Sequence, residues 1–170
     1  MRKIKYISVI VEGLTDKIYI DKILKEVLSD YLAENKTKLD IQVANGKGSL
    51  IRKSNESLIK IKKNNFKNYE IIITTDMDEY KNKEEDRKKF DEIREHTQNK
   101  GFHFVFFNRD IEDVLEITVK KGALKKKAAE RYNPGRDLKK KIREKLKING
   151  YSKSGSNLFL VLSEILEIEI

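Results

Sequence analysis

"VIVEGLTDK", Val9–Lys17, decides the fold. An apolar, β-branched run ends on a carboxylate at Glu12, a glycine follows at once, and Asp16 places a second carboxylate four residues later. A strand that is apolar on both faces belongs at the centre of a parallel sheet, so residues 3–11 are expected to form one. Gly13 permits a sharp exit from the sheet. From about Leu14 to Leu32, apolar residues at Ile18, Ile20, Ile23, Leu24, Val27, Leu28 and Tyr31 mark one face of a helix. Driving a hydrophobic strand into a charge costs stability unless the charge has a use.

The same alternation continues outward. "LDIQVAN" (39–45) reads as a short strand. "GKGS" (46–49) supplies a turn, with Ser49 as an N-cap, and Leu50, Ile51, Leu58, Ile59 and Ile61 suit a second crossover helix. "YEIIITT" (69–75) is the most strand-like run and ends at Asp76. "MDEYKNKEEDR" (77–87) is a polar loop leading into a helix to about Asn99, with Phe90 and Ile93 on its apolar side. Gly101 ends that helix, and "FHFVFFN" (102–108) gives a fourth strand. Strands alternating with helices long enough to cross over predict an α/β fold: a four-stranded, mostly parallel, Rossmann-like sheet flanked by helices. After Asn108 the pattern is helical only, in "RDIEDVLEITV", "ALKKKAAERY", "GRDLKKKIREKLK" and "SNLFLVLSEILEI", punctuated by "NPG" at 133–135.

A length of 170 residues suits one domain, or a core with an appendage. The absence of cysteine excludes a thiol nucleophile and a cysteine-held zinc. The two histidines are too few and too separated for a histidine metal site. His103 is expected inside the core and His96 at the solvent. Any metal would therefore be held by carboxylate oxygens, which favour magnesium, manganese or calcium. No signal peptide or apolar stretch near the ~18 residues of a membrane span is seen, so no membrane association and a cytoplasmic location are expected. The net charge is +9 with a pI near 9.5. Lys120–Lys147 holds thirteen Lys or Arg against three Asp or Glu, a net +10, so the rest of the chain sums to about −1. A localised basic block points to a phosphate-rich partner; a solvated helix surface is the plainer alternative.

The acids stand where parallel α/β sheets collect ligands, at the carboxyl ends of strands. Glu12 ends the first strand, Asp76 the third with Asp78 two residues on, and Asp110, Glu112 and Asp113 follow the fourth. Adjacent strands are ~4.8 Å apart, so such side chains can converge on one or two hard cations. Like charges gathered together destabilise one another unless a metal or proton neutralises them.

"VIVEGLTDK" followed by "IIITTDMDEY" resembles the Toprim domain, whose pattern is Glu-Gly after the first strand and Asp-x-Asp after the third. The likeness covers about residues 3–115. It implies a catalytic core over 1–115 and a basic helical extension over 116–170 packed on that core. Asp16 and "VFFNRDIEDVLE" are similar to the RloB-like and OLD-family-type small Toprim nucleases. That likeness implies metal ligands at Glu12, Asp16, Asp76, Asp78 and Glu112, with Asp113 a further candidate, and Mg2+ or Mn2+ as cofactor. The implied activity is two-metal hydrolysis of RNA or DNA phosphodiesters, with Glu12, Asp76, Asp78 and Lys153 as catalytic residues. A role in anti-phage defence beside a sensor or ATPase partner protein comes from the resemblance alone. A ribosomal-RNA-maturing Toprim ribonuclease is similar in size, but "TDMDEYKNK" departs from its pattern.

Lys153 is the candidate cation near the scissile phosphate, because "GYSKSGSN" (150–157) is a Gly/Ser-rich loop before a helix. Lys47 in "NGKGS" is a second phosphate candidate, since glycines let backbone N–H groups approach an anion. Lys125, Lys126, Lys127, Arg131, Arg136, Lys139, Lys140 and Arg143 are expected to grip the nucleic-acid backbone. Tyr132 and Tyr151 flank them as stacking candidates. The alternatives are a Toprim module that binds nucleic acid or regulates without cutting, and a structural subunit whose basic helices bind a partner protein.

Overall fold

The computed structural model describes residues 4–77, 80, 82–118, 122–151 and 154–170. The α/β expectation holds: strands β1 (Tyr6–Val11), β2 (Lys38–Val43), β3 (Tyr69–Asp76) and β4 (His103–Phe107) form one sheet in the order β2-β1-β3-β4. Every pairing is parallel, with Val9 opposite Ile41 and Ile72, and Thr74 opposite Val105. Parallel neighbours need crossovers, and the helices supply them: α1 (Leu14–Val27) with α2 (Ser29–Asn35), α3 (Leu50–Lys63), and α4 (Glu84–Lys100). Beyond β4 come α5 (Ile111–Val114), α6 (Gly122–Arg131), α7 (Pro134–Asp137), α8 (Lys140–Lys145) and α9 (Leu158–Leu166).

The period-two alternation of β1 explains the layers. Ile7, Val9 and Val11 face a cluster that includes Tyr19, Ile20, Ile23, Leu158 and Phe159. Tyr6 and Ile10 face the opposite cluster with Leu50, Ile61 and Ile93. All six β1 residues are buried, as a central strand requires. Ser8 is the one polar residue there, and it is satisfied: its hydroxyl bonds the Ser57 hydroxyl at 2.7 Å, and Gln42 Nε2 donates to it at 3.2 Å.

Several boundaries differ from the sequence reading. The single helix expected over Leu14–Leu32 breaks at Leu28, whose φ of −114° leaves the helical region before Ser29 and Asp30 open α2. Among the described residues of "RDIEDVLEITV" (109–118) the one helix is the four-residue α5, started by Asp110, whose Oδ1 accepts the Asp113 N–H at 2.7 Å. "GRDLKKKIREKLK" divides into α7 and α8. Ser49 stands at the N-cap of α3 but makes no side-chain cap bond. His103 is not a core residue: its Nε2 lies 2.8 Å from Glu70 Oε2 on the neighbouring strand. His96 is not solvent-facing but half-buried, with Nε2 3.1 Å from the Ser54 hydroxyl.

The C-terminal part belongs to the first cluster. Ala129, Tyr132, Leu138, Ile142, Leu146, Leu158 and Leu162 are buried in it together with β1 and α1 residues. Lys22 on α1 fixes the end of α6, its ammonium donating to the carbonyls of Ala129 at 3.1 Å, Glu130 at 2.5 Å and Tyr132 at 2.9 Å. A C-terminal helix turn leaves carbonyls without partners, and a cation there satisfies them and complements the helix dipole. No helix among the described residues is long and apolar enough to cross a membrane.

Candidate functional site

The carboxyl ends of β1 and β3 lie side by side, and this brings Glu12 to Asp76. Glu12 Oε1 accepts the Thr75 hydroxyl at 2.6 Å and the Asp76 N–H at 3.0 Å. The loop after β2 turns back onto the same point through left-handed residues Asn45 (φ 61°) and Gly46 (φ 109°), and Gly46 N–H donates to the Glu12 carbonyl at 2.9 Å. An L side chain pays strain at such φ values and glycine does not. That turn delivers Lys47: its ammonium donates to the Asp76 carbonyl at 2.6 Å and stands 4.0 Å from Glu12 Oε1. The Lys47 side chain is only 10% exposed, so it is a built part of this corner.

A second group forms across α1, α5 and α6. Asp16 occupies the third position of α1, where its Oδ2 accepts the Gly13 N–H at 2.8 Å and closes the helix start. A Cβ at Gly13 would lie 3.3 Å from that oxygen, a tight contact that the carboxylate would have to relieve by a small shift. Burial pushes the Asp16 carboxyl up to about 6; the Gly13 N–H and Lys125 act against it, while Glu112 and Glu12 raise it further. Glu112, carried by α5, is fully buried, with a side chain 1% exposed. Lys125 reaches down from α6 to place its ammonium 3.0 Å from Glu112 Oε1. Among the described residues Glu112 Oε2 has no hydrogen-bond partner. The Tyr19 hydroxyl, one helical turn beyond Asp16 on the same face of α1, is likewise buried without a partner. Burial raises the Tyr19 hydroxyl to about 12, with the nearby charges of Glu112, Asp110 and Asp16 adding to the effect.

Among the described residues no three carboxylate or imidazole side chains gather in a metal-holding arrangement. Asp78 and Lys153, both expected at the centre, lie outside the described residues. The donor set nonetheless suits a hard cation: every candidate is a carboxylate oxygen, and among the described residues Oε2 of buried Glu112 has no hydrogen-bond partner. Asp113 does not join; its Oδ2 lies 3.1 Å from Arg109 Nε.

The basic residues separate into two kinds. Lys126, Lys127, Arg131, Arg136, Lys139 and Lys140 are exposed. Arg136 is engaged with Asp137 at 2.7 and 3.0 Å, and Arg143 lies over the Phe159 ring at 6.0 Å. Lys125 alone turns into the acidic group, an orientation that its place in a run of three lysines did not signal. The stacking roles expected of the two tyrosines are not supported by their surroundings. Tyr132 is buried edge-on against Tyr19 at 5.4 Å, and Tyr151 packs against Phe90 and Phe106 at 5.5 and 4.7 Å. Sequence reasoning also missed Thr75, although a threonine beside a strand-end acid is a readable signal for a carboxylate partner.

No family model, curated protein or solved structure matches the chain significantly.

Proposed function

We propose that this chain is a divalent-cation-dependent nuclease acting on phosphodiester bonds of RNA or DNA. The observation that carries the reading is the meeting of acids with two inward lysines at the carboxyl end of the sheet: Lys47 stands 4.0 Å from Glu12 and donates to the Asp76 backbone carbonyl, and Lys125 stands 3.0 Å from Glu112 beside Asp16. Glu12, Asp16, Asp76 and Glu112, with Asp78 beside them in sequence, would hold Mg2+ or Mn2+. Such a cation polarises a phosphoryl oxygen and lowers the pKa of a bound water.

The chain's own residues supply the rest. Thr75 and the Asp76 N–H fix the Glu12 carboxylate, so it needs no rearrangement when substrate arrives. Lys47 and Lys125 offset the negative charge that a phosphate brings to an acidic site. Lys126, Lys127 and Arg131 lie exposed on the helix that carries Lys125, and they extend a cationic surface away from it. The role in anti-phage defence and the sensor or ATPase partner belong to this same proposal and rest on the Toprim resemblance.

A non-cleaving nucleic-acid-binding module is the second reading. It is favoured by the commitment of Glu12 Oε1 to Thr75 and Asp76 and of Glu112 Oε1 to Lys125. The deciding experiment incubates tRNA, single-stranded RNA, plasmid and linear DNA with Mn2+ and the wild-type chain, Glu12→Gln or Asp76→Asn. Cleavage by the wild type that falls at least a hundredfold in both variants is expected. Identical behaviour of all three proteins removes the nuclease reading.

A further inference from the structure

Lys125 is the unexpected member of the site. It comes from a helix whose other lysines are exposed, yet its ammonium lies 3.0 Å from a carboxylate that is 1% exposed. A buried carboxylate without a counter-ion is strongly destabilising, so something must neutralise Glu112, and in this state Lys125 does so. It does so incompletely, because among the described residues Glu112 Oε2 has no hydrogen-bond partner and neither has the Tyr19 hydroxyl. The Lys125 side chain is itself 31% exposed. It can therefore leave by rotating its own stem, while α6 stays pinned by the three bonds from Lys22.

We infer that Lys125 is a displaceable counter-ion: its ammonium and a divalent cation compete for Glu112, and the displaced side chain becomes a phosphate contact. This rests on the nuclease reading above and adds a coupling to it. Cation and nucleic acid bind more tightly together than apart, because the cation releases one positive charge onto the binding face. Reciprocity follows, since a phosphate that holds Lys125 outside leaves Glu112 open to the cation.

Two measurements on the full chain test this. Unbound Mn2+, counted by electron paramagnetic resonance without nucleic acid, gives the cation affinity of the wild type and of Lys125→Met. The variant is expected to bind Mn2+ at least tenfold more tightly, and to melt lower than the wild type in chelator but not in Mn2+. Equal or weaker Mn2+ binding overturns the competition. Should Lys125→Met not fold, Lys125→Arg keeps the charge and can pair with a carboxylate at two points. It is expected to weaken Mn2+ binding, and no weakening overturns the idea equally.

The second measurement follows binding of a short DNA duplex and a short single-stranded RNA over a salt series, with Ca2+ replacing catalytic cations so that the probes survive. One phosphate contact changes the slope of log affinity against log salt by about 0.7–0.9. Wild type and Lys125→Met should differ by about that much with Ca2+ and hardly at all in chelator. The same difference in both conditions means that Lys125 always contacts phosphate, and overturns the inference. A Mn2+ gain with no binding of either probe keeps the competition but removes both the phosphate contact and the nuclease reading. Cleavage with no Mn2+ gain removes the competition and leaves the nuclease reading intact.

Discussion

At the scale of single residues, the acids were legible and the inward turn of Lys125 was not. Glu12 and Asp76 declare themselves because each directly follows a run whose apolar pattern fixes its place, and Asp16 by standing four residues after Glu12. A lysine carries no such mark: Lys125 and Lys126 are neighbours in one run, yet one pairs inward with Glu112 and the other reaches Glu130 at 3.7 Å. Only the placement of α6 decides between them. Asp16 makes the energetic consequence measurable. Burial raises its pKa from the ordinary 3.8 to about 6, so the folded state holds the proton more tightly than the unfolded one. Its contribution to stability is then complete below about 3.8 and is lost as the pH rises through about 6. Asp16→Asn keeps an oxygen for the Gly13 N–H and cannot ionise. In chelator above pH ~6 it should be more stable than the wild type by on the order of 2 kcal/mol. Urea midpoints measured across pH would show the two proteins converging as the pH is lowered. A constant difference at all pH values would mean that the Asp16 charge is not under strain.

At the scale of elements, the four strands, their crossovers and the helical character after β4 followed from period and punctuation, whereas the way the chain closes the β4 edge did not. "GYSKSGSN" reads in sequence only as the loop carrying Lys153, which lies outside the described residues, and its last three residues close the edge of the sheet. Asn108 N–H donates to the Gly155 carbonyl at 2.8 Å, and Phe107 pairs with Ser156 in an antiparallel bridge. Asn157 continues the pairing with its side chain: Oδ1 accepts the Phe106 N–H and Nδ2 donates to the Phe104 carbonyl, both at 2.9 Å. An amide group thus takes the place of a fifth strand, protecting an edge that would otherwise offer unpaired backbone groups. Single-sequence patterning cannot see this, because the partners are about fifty residues apart. Asn157→Ala should cost about 1–3 kcal/mol by leaving two backbone groups of β4 without partners. Hydrogen exchange at the Phe106 amide should accelerate selectively over that of β1. Unchanged exchange there would show that the strand edge is protected by something else. Gly155→Ala acts on the same clamp by a different cause: a Cβ would lie 2.5 Å from the Lys145 carbonyl oxygen and closer still to Ile148. Overpacking of that kind costs about 1–3 kcal/mol.

At the scale of the whole molecule, the boundary expected at 115/116 marks a change of charge, and the extension expected to pack on the core shares that core's hydrophobic cluster. The basic extension was visible as composition, but its buried stripe was diluted among lysines in helices of four to ten residues, too short for a clear period. In space, that stripe completes the cluster on one face of the sheet. Leu158, Phe159 and Leu162 are fully buried in the same cluster as β1 and α1, and Tyr132 closes over Tyr19. Removing residues 117–170 would therefore expose Tyr19, Ile111 and Val114, strip the clamp from β4, and leave Lys22 without the carbonyls it satisfies. A buried side chain returned to water forfeits about 1.5–3 kcal/mol. Several such losses exceed the 5–15 kcal/mol by which a domain is ordinarily stable. The truncated chain 1–116 should consequently fail to give a cooperative melt or a dispersed amide spectrum, while the full chain unfolds in one calorimetric transition. A truncated chain that melts cooperatively would show that residues 1–116 fold without the extension. It would also detach Lys125 from the folding of the site, because Glu112 would then be tolerated in the core without its counter-ion.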